Sequence, residues 1–182
     1  MTNQPRVTKL VPTDRMPQDL QIRPATEADV RVTLDFIREL AEYEKLLDEA
    51  TVTEELLRSN LFGAHPRAEV ILACESGQPV GFALYFHNFS TFVGKPGIYL
   101  EDLFIRPAFR GKGYGKALMI YLARLMIERD CGRFEWSVLD WNQPSLEFYR
   151  SIGAVPMDEW TVQRMTGAQV TALAALPLPN ET

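Results

Sequence analysis

The sequence has few cysteines and histidines and no long apolar run. Only two of its 182 residues are cysteines, Cys74 and Cys131, and only two are histidines, His65 and His87. No CxxC pattern or histidine cluster accompanies them, so we expect reduced thiols and no metal. No apolar stretch approaches the roughly 20 residues that a membrane span needs, and residues 1–20 lack the apolar core of a signal peptide. These absences predict a cytoplasmic protein that does not bind a membrane.

The charge of the chain narrows the classes of partner. The formal net charge is −5, which argues against a nucleic-acid partner because nucleic acid requires a basic face. An acidic surface is compatible with a cationic small molecule as substrate. An acidic surface that only keeps the protein soluble explains the same net charge. Hydrophobic residues make up 46% and charged residues 24% of the chain, which are ordinary values for a soluble globular protein.

The hydrophobic pattern predicts one mixed α/β domain built around a sheet. We expect a flexible tail over residues 1–19, a single domain over 20–176 and a C-terminal tail over 177–182. Thr26 and Thr53 are predicted to cap two helices, and Asn142 a later one. The residues from 88 to 97, with two glycines and one proline, are predicted to form a loop. The predicted strands cover residues 20–23, 69–74, 80–86, 98–105, 133–139 and 160–165, and a weak terminal helix covers 166–176.

The most informative segment joins a predicted strand to a long amphipathic helix. It reads Arg110-Gly111-Lys112-Gly113-Tyr114-Gly115. The first turn of a helix exposes unpaired backbone N–H groups and a partial positive charge, and glycines let a phosphate approach them closely. Arg110 and Lys112 add positive charge and directed donors. The segment therefore predicts a site for a diphosphate.

Three known types of glycine-rich loop compete for this segment. A dinucleotide-binding fingerprint fails because no glycine stands at its third required position, and a Walker loop fails because Ala117 stands where Ser or Thr is required. The pattern that remains is Arg or Gln, two residues, Gly, one residue, then Gly or Ala, and Arg110, Gly113 and Gly115 meet it. The alternative is a glycine turn that binds no ligand.

These residues resemble the acetyl-CoA loop of the GNAT superfamily of N-acetyltransferases, and the resemblance extends from about residue 22 to 165. It is strongest to the diamine acetyltransferase branch, which includes spermidine/spermine and thialysine acetyltransferases. The resemblance implies a GNAT fold, with a mixed, mostly antiparallel, twisted central sheet and helices on both faces. It also implies a homodimer. The other matching stretches are residues 22–26, 39–44, 99–104 and 141–149.

The resemblance implies that acetyl-CoA lies in a cleft where the strands at 99–105 and 133–139 separate. The pantetheine arm is expected to pair with the backbone of Leu103, Phe104 and Ile105, and the diphosphate with residues 110–115. Asn142 and Ser145 are also expected to contact the coenzyme. No metal is implied.

The catalytic residues that the resemblance implies are Tyr149 and Glu101. Tyr149 would protonate the departing thiolate, and a phenol, with a reference pKa of about 10, suits that role. Glu101 would act as the base that takes a proton from the substrate ammonium, with Asp102 holding the cation. Adjacent strand residues face opposite sides, so both carboxylates reach one site only if the strand carries a bulge. The structural alternatives are a packing role for Tyr149 and ion pairs for the carboxylates.

The substrate pocket is implied to include Tyr43 and Glu44 as well as Glu101 and Asp102. The chain departs from the polyamine enzymes at two positions, because Ser90 replaces an acidic residue and Phe92 a tryptophan. A shorter amine, such as a thialysine-like amino acid or a small diamine, is therefore expected. Two other hypotheses remain: acetylation of a different amine, such as a protein terminus, a lysine or an aminoglycoside, and a CoA-binding module without turnover.

Overall fold

A computed structural model describes residues 19–179, which fall into two compact units. The first unit comprises residues 19–141 and the second residues 142–179. The tails predicted over 1–19 and 177–182 lie outside the described residues, apart from residue 19 and residues 177–179. None of the helices in this described part has the length and apolar content needed to cross a membrane.

The first unit is built on a five-stranded sheet in which the strands follow one another in chain order. Neighbouring strands are antiparallel except the last pair, which is parallel. This confirms the predicted mixed, mostly antiparallel sheet. The strands are β1 (Leu20–Pro24), β2 (Glu69–Glu75), β3 (Gln78–Ser90), β4 (Lys95–Ile105) and β5 (Phe134–Trp136).

Three helices of the first unit cover the two faces of this sheet. They are α1 (Val30–Glu44), α2 (Glu54–Phe62) and α3 (Tyr114–Glu128). A short 3-10 turn precedes α1, and both the backbone N–H and the hydroxyl of Thr26 donate to Oδ2 of Asp29 at 2.8 Å. Thr53 accepts a hydrogen bond from the Leu56 N–H at 3.2 Å and caps α2. Both threonines therefore start helices, as their sequence context predicts.

The core has one layer on each face of the sheet. On the face of α1 and α2, Phe36 stacks on Phe82 with ring centroids 5.5 Å apart, and Phe104 packs beside them. On the opposite face α3 packs against β1 to β4 and buries Leu118 and Leu122 completely. Each buried side chain of this size stabilises the fold by about 1.5–3 kcal/mol.

The hairpin between β3 and β4 is longer than the sequence suggested. The prediction of a loop over residues 88–97 is wrong, because β3 continues to Ser90 and β4 begins at Lys95. The connection is a tight turn in which the carbonyl of Ser90 accepts from the Gly94 N–H at 2.7 Å. The hydroxyl of Ser90 accepts from the Val93 N–H at 3.3 Å, and Gly94 adopts φ 69°, which favours glycine.

The second unit contains two helices, α4 (Gln143–Ser151) and α5 (Gly167–Ala174). Oδ1 of Asn142 accepts from the Ser145 N–H at 3.4 Å and caps α4, as predicted. The strand predicted over residues 160–165 is wrong, because that segment pairs with no strand among the described residues. Its apolar side chains are exposed, and apolar alternation alone makes no strand without a neighbour to accept its backbone hydrogen bonds.

Candidate active site

A β-bulge interrupts β4 at Glu101. Across the β3–β4 ladder, Leu84 lies opposite Asp102 while Tyr85 lies opposite Leu100, so Glu101 has no partner on β3. Such an extra residue breaks the strict alternation of side chains and redirects them locally. The bulge that both carboxylates were predicted to need is therefore present, and at the position where they occur.

The same part of β4 has an open edge. Strand β5 pairs only with residues 98–100 and ends at Trp136, short of the predicted 139. Among residues 19–179, no strand therefore pairs with residues 101–105 on that side. The Arg106 N–H donates to the Val80 carbonyl at 3.0 Å, so Arg106 forms a hydrogen-bonded pair with β3. Hydrogen-bonded and non-hydrogen-bonded residues alternate along an antiparallel strand. The backbone groups of Leu103 and Ile105 therefore point away from β3. An extended amide ligand could pair with this edge. Phe104 presents its ring to the core and its backbone to β3.

The glycine-rich loop follows β4 and leads directly into α3. Gly111 and Gly113 adopt φ 78° and 84°, the left-handed region that suits glycine. Gly113 is the N-cap of α3 and supplies no side chain, so the first-turn N–H groups have no side-chain cap. A Cβ placed on either glycine would meet nothing within 4 Å, which leaves the loop open to a ligand. This geometry suits a diphosphate that accepts hydrogen bonds from the backbone N–H groups at the start of α3, around Tyr114 and Gly115.

The Arg110 side chain contacts the end of β4 and the end of α1. Its Nε donates to the carbonyl of Ile105 at 2.9 Å, on the open edge of β4. Its guanidinium carbon lies 4.7 Å from the centroid of the Tyr43 ring and 5.5 Å from that of Phe104. The side chain therefore links the loop to the end of α1, and its role as a donor to phosphate stays a prediction.

Lys112 and Tyr114 share a partner that the sequence analysis missed. The Lys112 ammonium donates to Oε1 of Glu75 at 2.8 Å, and the Tyr114 hydroxyl donates to the same oxygen. The bond to Lys112 lowers the pKa of Glu75, while burial and then Glu75 raise the pKa of Tyr114 to about 12. Nothing in the sequence near Glu75 indicates this contact, because it joins the end of β2 to a loop 37 residues further along.

Three carboxylates gather beside the bulge. Burial raises the pKa of Asp102 to about 7, and the negative charges of Glu101 and Glu44 contribute to the same shift. Burial also raises the pKa of Glu44. The structure therefore brings together the predicted substrate-binding carboxylates, and Asp102 is the one whose pKa is close to neutral pH. Within residues 19–179, no group of His, Cys, Asp and Glu side chains is arranged to hold a metal ion.

An aromatic pair flanks the end of α1. The ring of Tyr43 lies 6.0 Å from that of Trp141, centroid to centroid, at an interplanar angle of 49°. The Lys45 ammonium lies 6.0 Å from the Trp141 centroid, on the residue immediately after α1. We name this set, Arg110, Tyr43, Trp141 and Lys45, the aromatic wall. Tyr43 was predicted to line a pocket, whereas Trp141 and Lys45 were not assigned a role.

The remaining predicted residues, Tyr149, Asn142 and Ser145, lie in the second unit. Tyr149 is on α4, half-buried, with its ring centroid 5.2 Å from that of Phe148. Asn142 is buried and Ser145 occupies the first turn of α4. The contact between Tyr149 and Phe148 is compatible with both alternatives that the sequence left open for Tyr149, a packing role and a role as proton donor.

Comparison with known proteins gives a consistent result. Residues 34–154 match the model of the Acetyltransferase (GNAT) family. A thialysine N-epsilon-acetyltransferase from Sus scrofa is 38% identical over 166 residues, which cover 84% of this chain and 96% of that protein. L-ornithine N5-acetyltransferase NATA1 from Arabidopsis thaliana is 41% identical over 96 residues, covering 53% of this chain and 42% of that protein. A solved integron cassette protein from V. cholerae superposes with a TM-score of 0.74 at 28% identity, covering 87% of this chain and 99% of that one.

Proposed function

Because this chain belongs to the Acetyltransferase (GNAT) family, we propose that it acetylates the primary amine of a small cationic metabolite, with acetyl-CoA as donor. It is an N-acetyltransferase, like its relatives. The substrate in this proposal is a thialysine-like amino acid, a diamine or a polyamine. The observation that carries the proposal is the bulge at Glu101, because it sets a carboxylate cluster where the open edge of β4 begins.

The donor would be held by the loop and the open edge. Acetyl-CoA supplies the acetyl group as a thioester. The N–H groups around Gly111, Gly113 and the first turn of α3 would bind its diphosphate. The outward backbone groups of Leu103 and Ile105 would pair with the pantetheine amides and polarise the thioester carbonyl. We propose further coenzyme contacts from Asn142 and Ser145.

The acceptor amine would be held and deprotonated by the carboxylate cluster. A primary ammonium has no lone pair and must lose a proton before it can attack a carbonyl. The Glu101–Asp102 pair would take that proton, directly or through water. The pKa of about 7 favours Asp102 as the acceptor near neutral pH, because a base works best when its pKa is close to the working pH. Glu44 and Tyr43 would hold the cationic substrate.

Tyr149 would complete the reaction as the general acid. A thiolate leaving group needs a proton, and the phenolic hydroxyl of Tyr149 can donate one because phenols and thiols have comparable basicity. No covalent acyl-enzyme is part of this scheme, since the amine attacks the thioester directly.

We also propose that the protein is a cytoplasmic homodimer. The low cysteine content of the chain, two residues with no CxxC pattern, supports a reducing compartment. In the second unit Val155, Trp160 and Val162 are exposed by 74%, 72% and 76%, and clusters of exposed apolar side chains mark association surfaces. Sedimentation equilibrium that gives a single species of monomer mass would contradict the dimer.

The function can be tested with purified protein, acetyl-CoA and a panel of amines. Release of free CoA is followed with diamines, polyamines, lysine analogues, aminoglycosides and peptides. We expect the wild-type protein to turn over the small amines. The variant Gly113→Val should be inactive, because the valine side chain disfavours the left-handed backbone of the loop. Turnover only with aminoglycosides or peptides would replace the proposed substrate class, and CoA binding without any turnover would indicate a binding module.

A further inference from the structure

Lys45 occupies a position that suits glycine better than lysine. It follows the last residue of α1 with φ 63°, and its N–H donates to the Glu42 carbonyl at 3.1 Å, which closes the helix. Helices commonly end on a glycine in this left-handed conformation, because a Cβ is strained there. A lysine side chain at this point therefore adds nothing that the helix end requires.

The ammonium of Lys45 is not used in an ion pair. Within residues 19–179 no carboxylate lies within 4.0 Å of it, although Glu44 precedes it in the chain. The cations of Arg106 and Lys112, by contrast, are each paired at 2.8 Å. The Lys45 ammonium instead lies over the ring of Trp141. It is an exposed cation on the residue that follows Glu44 and is available to an anion.

The aromatic wall extends from Lys45 to the open edge of β4. At one end Arg110 bonds the Ile105 carbonyl on that edge and lies over Tyr43. Tyr43 contacts Trp141, and Trp141 contacts Lys45 at the other end. A substrate with a short aliphatic chain could lie along these rings. With its reacting amine at the open edge of β4, the opposite end of that substrate would lie at Lys45.

We infer that Lys45 binds the α-carboxylate of the substrate, which makes the substrate class an α-amino acid with a second amine at the end of its side chain. The inference rests on the proposed function and narrows it. Glu44, next to Lys45, would bind the α-ammonium, while Glu101 and Asp102 receive the terminal amine. A diamine or polyamine carries only positive charges and meets Lys45 as a like charge, so the same residue disfavours it.

The inference is tested with substrate pairs that differ only in the carboxylate. Ornithine is compared with 1,4-diaminobutane, and thialysine with its decarboxylated diamine, by kcat/KM on the intact protein. Lys45→Asn removes the charge and keeps a residue that tolerates the left-handed backbone. We expect it to lower kcat/KM for the amino acids by about tenfold or more, through KM, because hydrogen bonds to charged groups are of that strength. The values for the diamines should stay unchanged or rise.

Two further variants separate charge from structure. Lys45→Arg should restore most of the preference for the amino acids, because it keeps the cation. Arg38→Gln, an equal loss of charge from an exposed position on α1, should leave both members of each pair unchanged. Equal losses for amino acid and diamine in Lys45→Asn, or no loss for either, would overturn the carboxylate site while acetylation itself stands. A wild-type protein that acetylates neither member of any pair would overturn the proposed function, and this inference with it.

Discussion

The ammonium of Lys112 donates to Oε1 of Glu75 at 2.8 Å, so the cation of the glycine-rich loop already has an anionic partner inside the protein. The two side chains are only partly buried, with exposures of 44% and 25%, and water competes for both. An anionic ligand at the loop must therefore compete with Glu75 for Lys112. Because Glu75 also accepts from the Tyr114 hydroxyl, it orders the first residue of α3 as well.

We expect Glu75→Gln to strengthen CoA binding. The amide keeps an acceptor for Tyr114 but removes the charge that neutralises Lys112. The gain should be about two- to fivefold in Kd, the range of a partly exposed ion pair. Binding should also weaken more steeply as salt is added, since one more uncompensated cation faces the ligand. Calorimetry measures both.

The matched control is Glu54→Gln, which breaks the surface pair with Arg31 on a helix away from the loop. It should leave CoA affinity as it is. Weaker CoA binding in Glu75→Gln would show that Glu75 orders the loop more than it competes for Lys112.

Asp102→Asn should abolish the pH dependence that a base with a pKa of about 7 gives to catalysis. In the wild type, kcat/KM should rise with pH through 7 as Asp102 loses its proton and becomes able to accept one. The variant should lose activity on the order of 100-fold, within the usual range for a general base, and show no inflection there. If Glu101→Gln removes the inflection and Asp102→Asn keeps it, the two roles are reversed.

The same substitution should raise thermal stability in a pH-dependent way. Burial raises the pKa of Asp102 from 3.8 to about 7, so the folded state holds a proton that the unfolded state releases. The stability that protonated Asp102 contributes to the fold is therefore fully present below pH 3.8, and it is lost as the pH rises from 3.8 through 7. Asp102→Asn should match the wild-type Tm near pH 4 and exceed it by several degrees at pH 8. The exposed Asp48→Asn should give no such trend; a constant offset for Asp102→Asn would contradict the expected linkage.

Local patterns predicted most of the fold. Thr53 and Asn142 start helices because a side-chain oxygen of each accepts a backbone N–H that the helix leaves unpaired, and Thr26 starts one through its hydrogen bonds to Asp29. The positions of the five strands and the hairpin between β2 and β3 also followed from apolar runs separated by turns. The errors occurred where pairing partners decide the structure: residues 88–97 continue the hairpin because each strand satisfies the other, and residues 160–165 have no partner strand in the described part of the chain.

The candidate site was predictable in part. The glycine loop and the need for a bulge follow from the chain itself, since two adjacent carboxylates in an apolar strand conflict with strict alternation. The contacts of Arg110 with Tyr43 and of Lys112 with Glu75 did not follow, because each joins segments distant in sequence. Lys45 is inconspicuous in the sequence, and only its φ of 63° and its place beside Trp141 distinguish it from other surface lysines.

Tyr149→Phe should lower kcat by about ten- to a thousandfold, because it removes one hydroxyl and with it the proton donor for the leaving thiolate. The ring remains, so its packing against Phe148 on α4 should persist and the Tm should stay close to that of the wild type. The Kd of CoA should also be unchanged, which separates a loss of acid catalysis from a loss of binding. The matched control is Tyr121→Phe, which removes one hydroxyl from a half-buried ring on α3 and should leave kcat as it is. Full activity in Tyr149→Phe would return Tyr149 to a packing role and require another proton donor.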